Sequence, residues 1–185
     1  QYQNLFHNIW NGNIASVKIT GTLMDLLASL IFAFGLCKYL KIDGQKRYIN
    51  IASITYLAQS CFTILITAIS YVTLNRFIFL VAIGLILWAM TIYSTYAKSF
   101  LYLLSGWLCG FILFVMITNM PLVGILLLFI LIAENSAISR WSGTICFVAG
   151  ILLAWITYFT TAEPFNDYIT HFTQVADKAL HGGID

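Results

Sequence analysis

The chain has 185 residues, of which 61% are hydrophobic, 16% aromatic and 9% charged, with a net charge of +2 and a mean hydropathy of +0.90. Soluble domains carry about 25% charged residues because their surfaces face water, so this composition excludes a soluble domain and points to an integral membrane protein that is nearly all bundle. The few basic residues are scattered, which gives no footprint for nucleic acid.

Six helices are expected in chain order. The first runs from about Ile19 to Leu40 and ends in KYLKIDGQKR; the second covers about Tyr48 to Val72, closed by ISYVTLNR. The third spans about Phe77 to Tyr96, and a short break at AKS leads to the fourth, about Phe100 to Ile117. The turn TNMP starts the fifth, about Leu122 to Ala133, with Pro121 in the first turn, where its missing N–H costs nothing. ENSAISR separates it from the sixth, about Trp141 to Thr161. Several of these apolar runs reach the roughly 20 residues a helix needs to cross the hydrocarbon core. Their lack of alternation selects helices over a closed barrel. Residues 1–18 form an outer extension and 19–161 the bundle.

The tail 162–185 differs. Phe165, Ile169, Phe172, Val175 or Ala176, and Leu180 recur at helical spacing between polar residues, with Pro164 at the start and Gly182 at the stop. An amphipathic helix is expected, lying on the outer membrane face or on the outer ends of the bundle. Orientation follows from Lys and Arg. With both termini outside, the inner loops hold Lys38, Lys41, Lys46, Arg47, Lys98 and Arg140, and the outer side holds Lys18, Arg76 and Lys178. The chain opens on Gln1 rather than Met, which fits either a removed upstream segment such as a signal peptide or a trimmed chain.

Few residues carry chemistry. Cys37, Cys61, Cys109 and Cys146 lie far apart inside apolar runs, and His7, His171 and His181 lie in the tails, so no metal, cofactor or disulfide framework is expected. No nucleophile–base pair or phosphate loop supports an enzyme. Asp25, in TLMDLLASLIF, is a carboxylate inside the first span; it either faces a polar path or pairs with Lys18 near the outer interface. Glu134 closes the fifth helix, where an acid opposes the helix dipole, and Arg140 is the expected partner.

In the last span, RWSGTICFVAGILLAWITYF, the residues Gly143, Cys146, Gly150, Ala154 and Thr157 form a narrow stripe of small side chains that admits another backbone closely. Val148, Leu152, Trp155 and Phe159 form a bulkier stripe that meets lipid or a lumen. Trp10, Trp141 and Trp107 suit the interfacial belt, whereas Trp88 and Trp155 lie deeper, as lining or packing residues.

GLCKYLKIDGQKRYIN, with Gly35, Ile42-Asp43 and Asn50, resembles the first helix and inner loop of the AmiS/UreI family of urea and amide channels. The last helix is similar to that family's at Arg140, Trp141, Gly143, Gly150, Ala154 and Trp155. The acetate/succinate permeases, of similar fold, offer a more distant likeness: NIAS at Asn13–Ser16 faintly echoes their signature, and their Ser-Tyr-Gly motif is not kept in ITYLAQS. The resemblance implies a hexameric ring in the inner membrane of a bacterium, with a lumen inside each six-helix protomer. By position it implies that Leu27, Ile31 and Trp88 line that lumen, with Ala149 beside it; Asp25, Leu152 and Trp155 are further lining candidates from their own chemistry and place in the spans. Two departures stand out. Ala149 occupies the position of a family Glu beside the pore, and the fifth helix, LVGILLLFILIAEN, lacks the Trp repeats that pinch the family's lumen.

Two functions are therefore expected to compete. One is a passive channel for a small polar solute such as urea, a short amide or a weak acid, which a narrow lumen would admit while excluding hydrated ions. The other is a non-transporting subunit that packs on partner membrane chains. A proton-coupled carrier ranks third, because midplane ionisable residues are nearly absent.

Overall fold

The computed structural model describes residues 14–63, 71–115, 119–161 and Thr170. The described residues form six helices without a strand: α1 (Ile14–Tyr39), α2 (Gln45–Thr63), α3 (Tyr71–Ala89), α4 (Thr95–Val115), α5 (Met120–Ala133) and α6 (Ala137–Thr161). Three stretches are long and apolar enough to cross a membrane, Ile19–Tyr39, Thr95–Phe114 and Ala137–Thr161, while Leu74–Ala89 and Met120–Ala133 are shorter apolar helices. The expected tail helix and Trp10 lie outside the described residues, apart from Thr170, which is helical.

α1 and α6 reach further toward the N-terminus than expected, to Ile14 and Ala137, and two differences at α3 matter for the site. α3 begins at Tyr71, so LNR lies inside it rather than closing α2. α3 also stops at Ala89, and the break at AKS does not occur: Thr95 to Lys98 already belong to α4. At this stop, the Thr91 hydroxyl donates to the Trp88 carbonyl at 2.7 Å, and the Thr91 and Ile92 amides donate to Trp88 and Ala89 at 2.9 and 3.2 Å. Two β-branched residues and these tightened i→i+3 bonds end the helix.

α1 ends in a left-handed turn. The Ile42 amide donates to the Cys37 carbonyl at 2.9 Å and the Lys41 amide to the Lys38 carbonyl at 3.0 Å, with Lys41 at φ 55°. This is the Schellman pattern, with a lysine where glycine is usual.

Side-by-side packing follows the order α2–α1–α3–α4–α6–α5. α1 runs parallel to α3, since Asp25 meets Arg76 in the first half of each and Phe34 meets Trp88 toward their ends. α4 likewise runs parallel to α6: Tyr102 lies against Gly143, and Phe114 stacks on Tyr158. Successive helices therefore alternate in direction. The bundle has an Asp25 end, with the starts of α1, α3 and α5, and a Glu134 end, with the starts of α2, α4 and α6.

Glycines bring the parallel pairs together. A Cβ on Gly35 would strike the carbonyl of Gly84, and one on Gly84 would lie 2.8 Å from the carbonyl of Ile31, so α1 and α3 touch backbone to backbone. Between α4 and α6, a Cβ on Gly106 would strike the Phe147 carbonyl, and one on Gly150 the Leu103 carbonyl. Gly106 and Gly110 form a small-x-x-x-small pair facing Gly150 and Ala154, which is how helices associate where lipid removes the hydrophobic drive. The core gathers around α3 and α4, with Ala82, Ile86, Tyr102 and Cys109 essentially inaccessible. There the Ser105 hydroxyl donates to the Ala82 carbonyl at 3.0 Å across the pair.

Candidate functional site

At the Asp25 end, Asp25 is buried on the face of α1 that meets α3, one turn before buried Ala28 and Ser29. Because α3 starts at Tyr71, Arg76 sits more than a turn inside it and reaches the carboxylate. Its Nη2 donates to Oδ2 at 2.5 Å and its Nε to Oδ1 at 3.3 Å. A bidentate guanidinium satisfies both carboxylate oxygens and makes the charge tolerable at this depth. The cation beside Asp25 is thus Arg76, which the sequence reading had placed in a loop; the Lys18 side chain lies outside the described residues.

A cavity of about 140 Å³ opens next to this pair, lined by Asn75, Arg76, Phe79, Ile112, Asn119 and Leu122 from α3, α4 and the start of α5. Asn75 Oδ1 and Asn119 Nδ2 are both buried and have no hydrogen-bond partner among the described residues. Leaving a buried polar atom unpaired costs about 1–3 kcal/mol. A cavity near 150 Å³ can hold a benzene-sized guest. The two unpaired amide atoms lie beneath the wall of this pocket, which Phe79, Ile112 and Leu122 make largely apolar and to which Arg76 adds a charge. Asn119 caps α5 without a side-chain bond to the helix amides, which leaves its amide group uncommitted to capping.

At the Glu134 end lies a second polar cluster. Glu134 is buried and ends α5 in extended conformation. Lys98 Nζ lies 2.7 Å from Oε1 and 2.9 Å from Oε2, and the Tyr102 hydroxyl donates to Oε1. Arg140 does not pair with the carboxylate; its Nη2 donates to the Glu134 backbone carbonyl at 3.1 Å. α4 wins because Lys98 and Tyr102, one turn apart, share the face turned to α5, while Arg140 is drawn to the exposed carbonyl that ends the helix. Neither Lys98 nor Tyr102 was singled out from sequence, although their i, i+4 spacing on an apolar helix was a signal. Asn75–Arg76, two polar residues ahead of FIFLVAIG, was another.

The remaining sequence-selected residues do not converge. Ile31 is half-buried against α3, and Trp88 packs edge-on to Phe34 at a centroid distance of 5.4 Å. Leu27, Ala149, Leu152 and Trp155 lie on the outer surface of the bundle, with Leu152 56% exposed. On α6 the division is by face. Gly143, Gly150 and Ala154 are buried against α4, Cys146 is half-buried, and the bulky stripe divides: Val148 and Leu152 are exposed, whereas Trp155 and Phe159 pack against Phe114 of α4, each with a centroid distance of 5.6 Å. Among the described residues no group of three or more His, Cys, Asp or Glu could hold a metal ion. Comparison with family models, with curated proteins and with solved structures finds no match to this chain.

Proposed function

We propose that the chain is a membrane facilitator for a small polar solute, such as urea, a short amide or a weak acid, and that the cavity at the Asp25 end is where the solute exchanges water for protein. One observation carries this reading: Asn75 and Asn119, each with a buried polar atom that has no partner among the described residues, line one small pocket whose wall is apolar apart from them and Arg76. Few polar groups in an apolar lumen are the ordinary means of replacing a solute's hydration shell. The Asp25–Arg76 pair beside it neutralises its own charge, which suits a neutral guest better than an ion.

In this reading all six helices span, both termini face outward, and the Glu134 end faces the cytoplasm of a bacterium by the distribution of Lys and Arg. The resemblance to the urea and amide channels supports a ring of copies, six by analogy. A second reading, a non-transporting subunit, draws on the outward faces of α1 and α6. Leu27, Leu152 and Trp155 are available there to another chain as well as to lipid.

The test is stopped-flow uptake into proteoliposomes offered urea, acetamide and acetate. Permeation above that of empty vesicles, lowered by Asn75→Ala or Asn119→Ala, supports the facilitator. Folded, inserted protein that passes none of the three supports the subunit.

A further inference from the structure

The charged groups divide unequally between the two ends. At the Asp25 end the described side chains hold one cation and one carboxylate, Arg76 and Asp25, bonded to each other. At the Glu134 end there are six cations against two carboxylates, Asp43 and Glu134. Glu134 is taken by Lys98, and Arg140 is turned to a backbone carbonyl. The surplus lies in the α1–α2 turn, where Lys38, Lys41, Lys46 and Arg47 fall within ten residues. None of the four has a carboxylate within ion-pair distance among the described residues.

The turn concentrates this charge in three ways. Lys38 and Arg47 lie over the same ring, Phe34, at 6.0 and 4.9 Å from its centroid, so two like charges from α1 and α2 are held near one another. α2 carries Lys46 and Arg47 in its first turn with no acid, against the helix dipole. Lys41 stands at φ 55°, in the left-handed position where glycine costs nothing and any other residue is disfavoured. The last two choices go against local preference, and all three add positive charge at one place. Conflicts of this kind mark function more often than accident.

Exposed aromatic side chains mark the depth of this turn in the bilayer. Tyr48 at the start of α2, Tyr93 and Tyr96 around the start of α4, and Trp141 at the start of α6 are 63% exposed or more. Amphipathic rings at one end of a bundle sit at the headgroup level. Rings at that level would put the unpaired cations in the plane of the lipid phosphates.

We propose that the α1–α2 turn binds the headgroup of an anionic phospholipid, with Lys41, Lys46 and Arg47 as its phosphate-facing cations. The shared chemistry is that of a phosphate monoanion, and the lipid is the source favoured, because Tyr48 stands exposed beside the turn, other exposed aromatics share its end of the bundle, and no closed pocket is needed. A juxtamembrane basic residue contributes to anionic-lipid attraction in proportion to number, so losing three weakens binding about a hundredfold.

The experiment uses the full chain in detergent, titrated with phosphatidylglycerol or phosphatidylcholine, with thermal unfolding as the readout. Phosphatidylglycerol is expected to raise Tm well beyond phosphatidylcholine. The Lys41→Gln/Lys46→Gln/Arg47→Gln variant is expected to lose that difference while keeping its response to phosphatidylcholine. Lys41→Gly separates binding from folding: glycine relieves the left-handed position, so Tm without lipid rises while the phosphatidylglycerol increment shrinks. Equal shifts with the two lipids, or an undiminished increment in the triple variant, would overturn the proposal. So would competition by millimolar inorganic phosphate that abolishes the increment, since the site would then hold a soluble phosphate compound.

Discussion

Arg76 of α3 grips the carboxylate of Asp25 in α1 through two nitrogens, at 2.5 and 3.3 Å, across 51 positions of sequence. Both side chains are largely withdrawn from solvent, at 15% and 8% exposure. In this setting the pair fixes the register of α1 on α3, and removing one member leaves the other charge uncompensated.

Arg76→Gln is therefore expected to destabilise the protein by about 3 kcal/mol. Asp25→Asn/Arg76→Gln should cost clearly less than the sum of the single changes. A double-mutant cycle read from unfolding in mild detergent checks this; additive losses would mean that the pair contributes nothing beyond its two separate environments.

Glycine contacts lead to a second expectation. Gly106→Val drives a side chain into the Phe147 carbonyl and should separate α4 from α6, costing about 3 kcal/mol as an overpacked contact. Gly124, on α5, has nothing within 4 Å of an added Cβ. Gly124→Ala should be neutral or stabilise by up to about 1 kcal/mol through helix propensity. Thermal unfolding of the two variants side by side decides whether close approach, rather than glycine content, holds the bundle.

Glu134 provides a third. Its charge partner is Lys98, whereas Arg140 binds a backbone carbonyl that survives any change of the Glu134 side chain. The Glu134→Gln/Lys98→Met cycle should show coupling of about 2 kcal/mol, and Glu134→Gln/Arg140→Met less than about 0.5 kcal/mol. Tyr102→Phe removes one donor to the carboxylate and should cost about 1–2 kcal/mol.

The solute path yields the fourth. Asn75→Ala and Asn119→Ala should each slow permeation about fivefold, the worth of one neutral hydrogen bond of ~1 kcal/mol. Leu27→Ala and Leu152→Ala, on the outer surface, should leave it unchanged. If the leucine variants slow uptake and the asparagine variants do not, the path runs between protomers rather than through the cavity.

The sequence by itself determined the class of this protein. Sixty-one per cent apolar content with 9% charge leaves no way to face water, and unalternating runs leave no choice but helix. Pro121 opening α5 was also legible, because a Pro at a first turn is a local signal. The stripe Gly143–Gly150–Ala154 was written there as well, as a helix face prepared for a close neighbour.

Only the tertiary structure decided which neighbour came. α4 presents Gly106 and Gly110 to that stripe, and backbone approach between two helices is a property of both faces at once. The same holds for the charges. Arg140 was the nearest cation to Glu134 along the chain, yet that carboxylate meets Lys98, and Asp25 meets Arg76 across 51 positions. In an apolar surrounding a buried carboxylate takes the donor that packing brings within about 3 Å, and separation along the chain carries no energy of its own. α3 differed for a related reason: Thr91 closed the helix with its own hydroxyl, which moved Lys98 into α4, while Tyr71 to Arg76 already belong to α3. The cavity of Asn75 and Asn119 could not be read in advance, because it exists only where the starts of α3 and α5 face the far part of α4.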